Sequence, residues 1–215
     1  GILAGINAAC ALLGREPLIL TRDMGYIGVM VDDLVVKGTD EPYRMMTSRA
    51  EHRLLLREDN ADTRLTRIGR ELGLVSDEQW RAFCIKQEAA ERFREYLGKK
   101  RIPGHKLPED APEAQLPVGK TLAEALKRPD VDLDSLEAML TATQHEALAE
   151  TGADLAAARA AAGTGACESV QTEIKYEGYL ARQRELIARS AKLEATALPP
   201  QLDYAKVAGL SHEVV

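Results

Sequence analysis

Beyond residue 59, hydrophobic residues recur at intervals of three and four, which places them on one face of a helix. Asn60 precedes the first such run as a candidate N-cap, and the run ends near Gly73. Ser76 and Gln79 form a capping box that predicts the start of a long second helix. The apolar face of that second helix consists of Trp80, Phe83, Cys84, Ala90, Phe93 and Leu97. We therefore expect a helical body here.

The helical pattern continues through the second half of the chain. Thr121 and Glu124 form another capping box. The leucines of the short helices that follow are Leu122, Leu126, Leu133, Leu136 and Leu140. Residues 153–166 hold eight alanines among fourteen residues, so this stretch is either helix or flexible spacer. A last long helix is predicted from about Ser169 to Ala195, before Pro199–Pro200.

The first third of the chain has a different pattern. Gly1 to Leu13 is typical of a buried helix. The run from Tyr26 to Val36 is rich in β-branched residues and bounded by glycines, which predicts a strand. Residues 47–57 predict a second extended or mixed segment. The expected fold class is therefore mainly α, with a C-terminal helical domain preceded by a small α/β remnant.

A proline-rich stretch at residues 98–120 separates the two helical parts. It holds four of the nine prolines and has no sustained periodicity, so we expect a linker or a long surface loop. The predicted domains are residues 1–58, a helical part at 59–100, a linker at 101–120 and a helical domain at 121–215.

Both ends of the chain look cut. The opening GILAGINAAC is compatible with a helix, yet no Ser, Thr, Asp or Asn stands before it as an N-cap. At the far end, Ser211 resembles an N-cap whose helix stops after one turn, at Val215. We therefore expect an internal fragment of a longer protein, with a truncated last domain.

The composition narrows the class of protein. The chain has 215 residues, of which 29% are charged and 4% aromatic, which suits helices packed through aliphatic side chains. No apolar run approaches the roughly 20 residues that span a bilayer. The three cysteines are widely spaced and the four histidines scattered, which favours a reducing compartment and gives no support to a metal site. A cytoplasmic location without membrane contact is therefore expected.

The net charge of −6 argues against a uniformly basic nucleic-acid binder, but the charge is unevenly distributed. Residues 1–75 hold ten Lys and Arg against eleven Asp and Glu, and residues 171–215 hold six against six. Residues 38–85 contain no lysine, although they are rich in arginine. Because the planar arginine fork pairs bidentately with phosphate or carboxylate, these arginines either bind a polyanion or satisfy neighbouring acids.

Three segments of the chain carry a specific resemblance. They are GILAGINAA at the start, YIGVMVDDLV with KGTDEPYRMMTSRAEHRLLLREDNADTRLT in the middle, and IKYEGYLARQ near the end, and LDYAKVAGLSHEV adds to them. Together these segments resemble the MnmG (GidA) family of flavoproteins, which modify the wobble uridine of tRNA. The resemblance covers nearly the whole chain, and the long helical second half separates it from the related folate-dependent tRNA methylases.

The resemblance implies what the intact protein does. It would bind FAD, accept hydride from NADH, take carbon from methylene-tetrahydrofolate and, with the GTPase MnmE, add a (carboxymethyl)aminomethyl group at C5 of the wobble uridine. It would act as a cytoplasmic homodimer. The dinucleotide fingerprint and the redox cysteines lie upstream in the family, so we expect no catalytic residue here and an inactive fragment. Gly1, Ile2 and Leu3, at the start of the first helix, would face the flavin.

The resemblance also implies contacts with tRNA. The predicted tRNA-binding residues are Arg44, Arg49, Arg53, Arg57, Arg64, Lys175 and Arg182, and Arg57 is the leading choice. One alternative is that the arginines satisfy internal acids, namely Glu41, Glu51, Glu58, Asp59 and Asp62. For the last helix, the alternative is a solvated face with its tyrosines in the core. A second class of function also stays open: a purely structural helical module for dimerisation or partner docking, without RNA contact.

Overall fold

A computed structural model describes the chain at residues 1–38, 41–104, 116–194 and 196–197. Within these ranges the regular structure is helical, apart from one 3₁₀ turn at Thr47–Arg49 and one isolated antiparallel bridge. The expectation of a mainly α fold is confirmed. The small α/β remnant is not found, because the described residues contain no strand.

The described residues form eight α-helices. They are α1 (Ile2–Leu12), α2 (Tyr26–Lys37), α3 (Ala61–Glu71), α4 (Asp77–Lys99), α5 (Leu122–Leu126), α6 (Leu133–Thr141), α7 (Glu146–Ala162) and α8 (Thr164–Glu194). The chain divides into two compact units, Gly1–Leu180 and Ala181–Val215. The domain boundaries expected after residues 58, 100 and 120 stay predictions.

Side-chain caps mark the starts of the central helices. The Ser76 hydroxyl accepts a hydrogen bond from the Gln79 amide at 3.2 Å, and the Gln79 side chain accepts from the Ser76 amide at 2.9 Å. Thr121 and Glu124 make the same reciprocal pair at the start of α5, at 3.1 and 2.9 Å. Both predicted capping boxes are confirmed, and a third, which was not predicted, opens α6. Each box satisfies two amides that the first turn leaves free.

A leucine-rich core holds α4 to α8 together. Helix α4 packs on α5 and α7, and α6 packs on α7. The five leucines predicted from the short helices are all buried, at most 4% exposed. Phe93 and Leu97 of α4 join them as predicted, together with Leu148 and Leu155 of α7 and Val170 of α8. Burial of each such side chain contributes about 1.5–3 kcal/mol to the free energy of unfolding, so apolar contacts are the main source of stability in this part of the protein.

The alanine-rich stretch that the sequence left open is helical. Helix α7 runs through it and ends at Gly163, whose φ of 80° lies in the region that favours glycine. Helix α8 begins at Thr164, so the predicted last helix is confirmed with a start earlier than Ser169. The predicted helix end at Pro199–Pro200 and the predicted cap at Ser211 lie outside the described residues.

The stretch at residues 98–120, predicted to be a linker, packs on the core at both of its described ends. Ile102 and Leu116 are 1% and 4% exposed and belong to the leucine-rich core. The Ile102 amide donates to the Lys120 carbonyl at 2.8 Å, beside the antiparallel bridge. Residues 105–115 lie outside the described residues. The described ends are therefore part of the helical body.

The predicted strand from Tyr26 to Val36 is wrong, because these residues form α2. Gly25 and Gly38 bound the element as expected, but as the caps of a helix. A short apolar run with β-branched residues does not by itself separate a strand from a buried helix. In the helix, Val29 and Asp33 lie four residues apart on the same buried face. The polar partners of Asp33, described below, require that arrangement.

A small hydrophobic cluster joins α2 to the residues that follow it. Val29, Ala50 and Leu56 are 2–4% exposed and pack together, with Tyr26 against them. Residues 47–57, expected to be extended or mixed, form the 3₁₀ turn and further hydrogen-bonded turns. These turns bring Ala50 and Leu56 back onto the same helix face.

The loop before α2 passes very close to the helix at Gly28. A Cβ atom at Gly28 would lie 2.1 Å from the carbonyl oxygen of Thr21 and 2.7 Å from that of Leu20. No side chain fits there, because the obstructing atoms are backbone. Glycine at this position therefore allows the loop before α2 to pass directly over the helix.

We expect Gly152→Ala to destabilise the protein by about 1–3 kcal/mol through overpacking. A Cβ at Gly152 of α7 would lie 2.7 Å from Thr141 Cγ2 and 2.9 Å from the carbonyl carbon of Leu140 in α6. Gly178→Ala is the matched control, since nothing lies within 4 Å of a Cβ there. Its better helix propensity should raise stability by up to about 1 kcal/mol. Urea unfolding of both variants measures the difference, and equal effects would contradict the packing of α6 on α7.

Candidate functional site

Arg22 lies in the loop before α2 and connects this helix to the segment that follows it. Its Nη1 donates to Asp32 Oδ2 and Asp33 Oδ1, both at 2.9 Å. Its Nε and Nη2 donate to the two carboxylate oxygens of Glu51 at 2.6 and 2.9 Å, and Nη2 also donates to the Arg49 carbonyl at 3.2 Å. We define Arg22, Asp32, Asp33 and Glu51 as the Arg22 clamp. Because the pair with Glu51 is bidentate, the clamp fixes direction as well as distance.

Asp33 is the buried carboxylate of the clamp, with only 2% of the residue exposed. Besides Arg22, it accepts hydrogen bonds from Lys37 Nζ and from the Tyr43 hydroxyl, both at 2.9 Å. Arg49 Nη1 lies 3.8 Å from Asp33 Oδ2, and the Arg49 guanidinium lies 4.7 Å from the centre of the Tyr43 ring. Both oxygens of the buried carboxylate are therefore satisfied, as a buried charge requires.

The clamp changes the pKa values of its members in one consistent sense. Hydrogen bonds from Lys37, Arg22 and Tyr43 hold the pKa of Asp33 well below its usual range. The hydrogen bond from Arg22 lowers the pKa of Glu51, and Glu51 in turn raises the pKa of Arg22. Burial raises the pKa of Tyr43. At neutral pH Asp33, Glu51 and Arg22 are therefore charged, and the neighbouring Tyr43 is protonated.

Arg57 and Arg64 are turned inward. The Arg57 side chain is 15% exposed and donates to both carboxylate oxygens of Asp59, at 2.9 and 3.1 Å, and to the Leu54 carbonyl at 2.8 Å. Arg64 donates to the Arg57 carbonyl and to Asn60 Oδ1, both at 3.0 Å. Burial lowers the pKa of Arg64. Both guanidinium groups close the turn before α3, and their tRNA-binding role stays a prediction.

Arg44 and Arg53 are turned outward. Both are exposed, and in the part of the chain that the structure describes neither has an ion pair or a hydrogen bond from its side chain. Arg49 belongs to neither group, since its side chain is 40% exposed and yet lies 3.8 Å from Asp33. We define residues 43–57 as the arginine segment. The alternative of internal ion pairs therefore describes Arg57, and the contact of the outward arginines with tRNA stays a prediction.

Helix α8 carries the other two predicted tRNA-binding residues. Lys175 donates to the Pro129 carbonyl at 3.3 Å, and Arg182 is exposed. Tyr176 and Tyr179 are 40% and 60% exposed, with ring centres 6.4 Å apart. The alternative in which the tyrosines of this helix lie in the core is wrong. Their rings are open to a partner, and no contact with tRNA is tested.

Gly1, Ile2 and Leu3 lie at the start of α1, with Gly1 as the residue before the helix. Gly1 and Ile2 are exposed, Leu3 is half-buried, and no described atom lies within 4 Å of a Cβ built on Gly1. A helix start of this kind suits an anionic group. The cofactor-binding role of these three residues stays a prediction.

A polar cleft of about 580 Å³ lies between α6, α7 and α8. Arg159 borders it and donates to Glu137 at 2.6 Å and to Asp134 at 2.5 Å. Cys167 also lines the cleft, but burial raises the pKa of its thiol, which disfavours the reactive thiolate. The described residues place no three His, Cys, Asp or Glu side chains where they could hold a metal ion together. None of their helices has the length and apolar character needed to cross a bilayer.

The sequence contained a signal for the clamp, although neither Arg22 nor Asp33 was among the predicted site residues. Asp32 and Asp33 interrupt an otherwise apolar run at residues 26–36. Adjacent acids in such a run require cationic partners if either is buried. The nearest arginine before the run is Arg22, which makes it the first partner to consider.

Comparisons with known proteins agree over the whole chain. The family model of the tRNA modifying enzyme MnmG/GidA C-terminal helical domain matches residues 77–184. A protein of Pelobacter propionicus is 45% identical over an alignment of 218 positions, which covers 100% of this chain and 32% of that protein. One of Syntrophotalea carbinolica is 44% identical over 221 residues, with the same coverage. Both are named tRNA uridine 5-carboxymethylaminomethyl modification enzyme MnmG. The chain spans 32% of the length of these curated relatives.

A solved structure shares the fold. Aquifex aeolicus GidA in its form II crystal superimposes with a TM-score of 0.67 and 36% sequence identity. The match covers 98% of this chain and 31% of that chain. The form I crystal of the same protein gives a TM-score of 0.65.

We expect the free energy of unfolding of the Asp33→Asn variant to fall less steeply in acid than that of the wild type. Because the folded-state pKa of Asp33 is lowered, its contribution is complete above the unfolded-state value of about 4 and is lost as the pH falls further. The unfolded protein binds the extra proton in that range, so acid favours unfolding. Urea unfolding between pH 7 and pH 2 should therefore give a shallower acid limb for the variant, and parallel curves would contradict the clamp.

Proposed function

Since the chain belongs to the MnmG/GidA family of tRNA-modifying enzymes, we propose that it is part of an enzyme that modifies the wobble uridine of tRNA. In this proposal the chain holds the RNA and docks partners, and it supplies no catalytic residue. The reaction adds a (carboxymethyl)aminomethyl group at C5 of the uridine. The chain alone is inactive, since it spans only 32% of the relatives' length.

The observation that carries the tRNA-binding part is the outward direction of Arg44 and Arg53. Both are exposed and have no ion pair within the described part of the chain. Nearby Glu51 is occupied by Arg22, and Asp59 by Arg57. Free guanidinium groups beside engaged acids suit the phosphate oxygens of an RNA backbone, which bind arginine in any sequence context.

The inward arginines have a different part in the proposal. Arg57 donates to groups of its own turn, and Arg64 donates to that turn and to the Met24 carbonyl before α2, so we assign them the bracing of the segment rather than first contact with RNA. Arg49 stands between the two classes, since it is partly exposed and lies near Asp33. Because the whole chain carries a net charge of −6, the grip depends on short-range contacts.

Helix α8 is a second candidate contact. The exposed rings of Tyr176 and Tyr179 suit stacking on unpaired bases, and Lys175 lies one residue before Tyr176. In the second unit, Arg182 is exposed and suits a phosphate. These contacts support the same substrate class as the arginine segment.

The proposal includes FAD, for which the start of α1 is the part of this chain that fits. Gly1, Ile2 and Leu3 would face an anionic edge of the flavin, and the glycine leaves room for close approach. When bound, FAD supplies redox chemistry, with NADH as reductant and methylene-tetrahydrofolate as carbon donor. The residues of this chain only help to bind and orient it.

The remaining parts of the proposal concern partners and location. The enzyme is a cytoplasmic homodimer that works with the GTPase MnmE. The helical body of α4 to α8 is the part of the chain that suits protein docking, because the leucine-rich core makes it rigid.

The test removes the outward arginines from the full-length protein. We expect Arg44→Ala with Arg53→Ala to weaken tRNA binding and to lower the salt slope of the affinity by about 0.7–0.9 for each phosphate that is no longer bound. Flavin content should be unchanged, since neither side chain is near α1 in the sequence. Filter binding across a salt series measures both the affinity and its salt slope.

The control is Arg70→Ala, which removes an arginine of similar charge that pairs with Asp77 and donates to the Val75 carbonyl. It should leave tRNA affinity close to that of the wild type.

Arg57→Ala tests the leading choice from the sequence, and it should weaken tRNA binding because the brace is missing. Unchanged affinity and salt slope in the Arg44/Arg53 double variant would favour the alternative of a structural docking module.

A further inference from the structure

Two sets of hydrogen bonds connect the arginine segment with α2 and the loop before it, and we call them the two ties. One lies close to Arg53 in the sequence and the other close to Arg44. The first tie is Arg22, which donates to Glu51 at 2.6 and 2.9 Å and to the Arg49 carbonyl at 3.2 Å. Arg53 lies two residues after Glu51. Since all three nitrogens of the Arg22 guanidinium are engaged, this tie fixes the backbone that carries Arg53.

The second tie is Asp33, which fixes the residue before Arg44. The Tyr43 hydroxyl donates to Asp33 Oδ2 at 2.9 Å. Asp33 is itself held by Arg22 at 2.9 Å through its other oxygen. Arg22 therefore takes part in the first tie directly and in the second through Asp33, which Lys37 also holds.

Arg22 also removes competition for the arginines of the segment. It neutralises Glu51 and shares Asp33 with Lys37. Arg49 Nη1 already lies 3.8 Å from Asp33 Oδ2. Without Arg22, the acids of the clamp would be free to pair with Arg49, and an arginine paired with a carboxylate is less available to phosphate.

We propose that Arg22, through Glu51 and Asp33, is a positioning residue for tRNA binding. It does not touch the RNA, but it holds Arg44 and Arg53 outward and keeps neighbouring acids away from Arg49. The inference rests on the proposed function, in which the outward arginines contact tRNA. Lysine would not replace Arg22, since an ammonium group cannot make the bidentate pair and reach α2 at the same time.

The first test uses the sign of the effect of Glu51→Gln in the full-length protein. If Glu51 acted only through its negative charge, neutralising it would strengthen binding of a polyanion. Because Glu51 anchors the clamp, its replacement loosens the segment, and we expect tRNA binding to weaken about threefold or more at fixed salt. Glu51 is partly exposed, so the variant should fold. Equal or tighter tRNA binding would overturn the proposal.

The second test is a double-mutant cycle with Arg22→Met. In the otherwise unchanged full-length protein we expect about tenfold weaker tRNA binding, and in the Arg44→Ala/Arg53→Ala background clearly less weakening. Most of the effect disappears there because Arg22 acts mainly through those two arginines, and the remainder comes from the acids released onto Arg49. A merely structural defect would weaken binding equally in both backgrounds, and that result would contradict positioning.

Arg159→Met is the matched control. Its side chain is 26% exposed against 25% for Arg22, and it bridges two carboxylates, Asp134 and Glu137, where Arg22 bridges three. The substitution removes the same charge and a similar set of ion pairs, in α7. We expect tRNA affinity to change less than about twofold, which is within the usual error of additivity. A tenfold weakening in this control would show that any such arginine matters and would overturn the proposal.

The outcomes separate this inference from the proposed function. If the Arg44/Arg53 double variant binds tRNA like the wild type, the proposed function fails and the inference fails with it. If that variant binds weakly but Arg22→Met and Glu51→Gln bind normally, only the inference fails. Thermal melting of each variant confirms that the folded protein is compared, and Glu51→Gln carries the test if Arg22→Met does not fold.

Discussion

Asp33 is only 2% exposed, and a buried carboxylate stays charged only if cations and hydroxyl donors surround it. The groups that surround Asp33 come from three stretches of the chain. Lys37 comes from its own helix, Arg22 from the loop before it and Tyr43 from the segment after it. The need to satisfy one buried charge therefore sets the mutual position of loop, helix and segment.

Two kinds of force hold the first compact unit together. Around α4 to α8, apolar side chains from five helices share one core that is rich in leucine, and capping boxes begin the central helices. Around α2 the hydrophobic cluster is small, with Val29, Ala50 and Leu56, and ion pairs carry more of the organisation. A rigid apolar body with a polar, ion-paired segment is the usual division between a scaffold and the residues that meet a partner.

The same chemical property of arginine explains both kinds of arginine in the segment. A planar fork can close on an internal carboxylate, as Arg57 does on Asp59, or remain open to an external phosphate. Which of the two occurs depends on whether an acid lies within reach of the side chain. In the proposed function the outward arginines meet tRNA, while the spacing of local acids decides which arginines are available.

Much of the fold could be predicted from the sequence, because local signals act there without help from distant residues. The capping boxes at Ser76 and Thr121, the buried leucines and the long helices depend on hydrogen bonds and periodicity within a few turns. The family could also be recognised, since its motifs extend along nearly the whole chain.

The candidate site was predicted only in part. Which arginines turn inward, and that residues 26–36 form a helix instead of a strand, was decided by tertiary structure. The physical reason is that Asp33 has to be buried on the same helix face as Val29, within reach of Arg22 and Tyr43, and those contacts join residues that periodicity cannot relate.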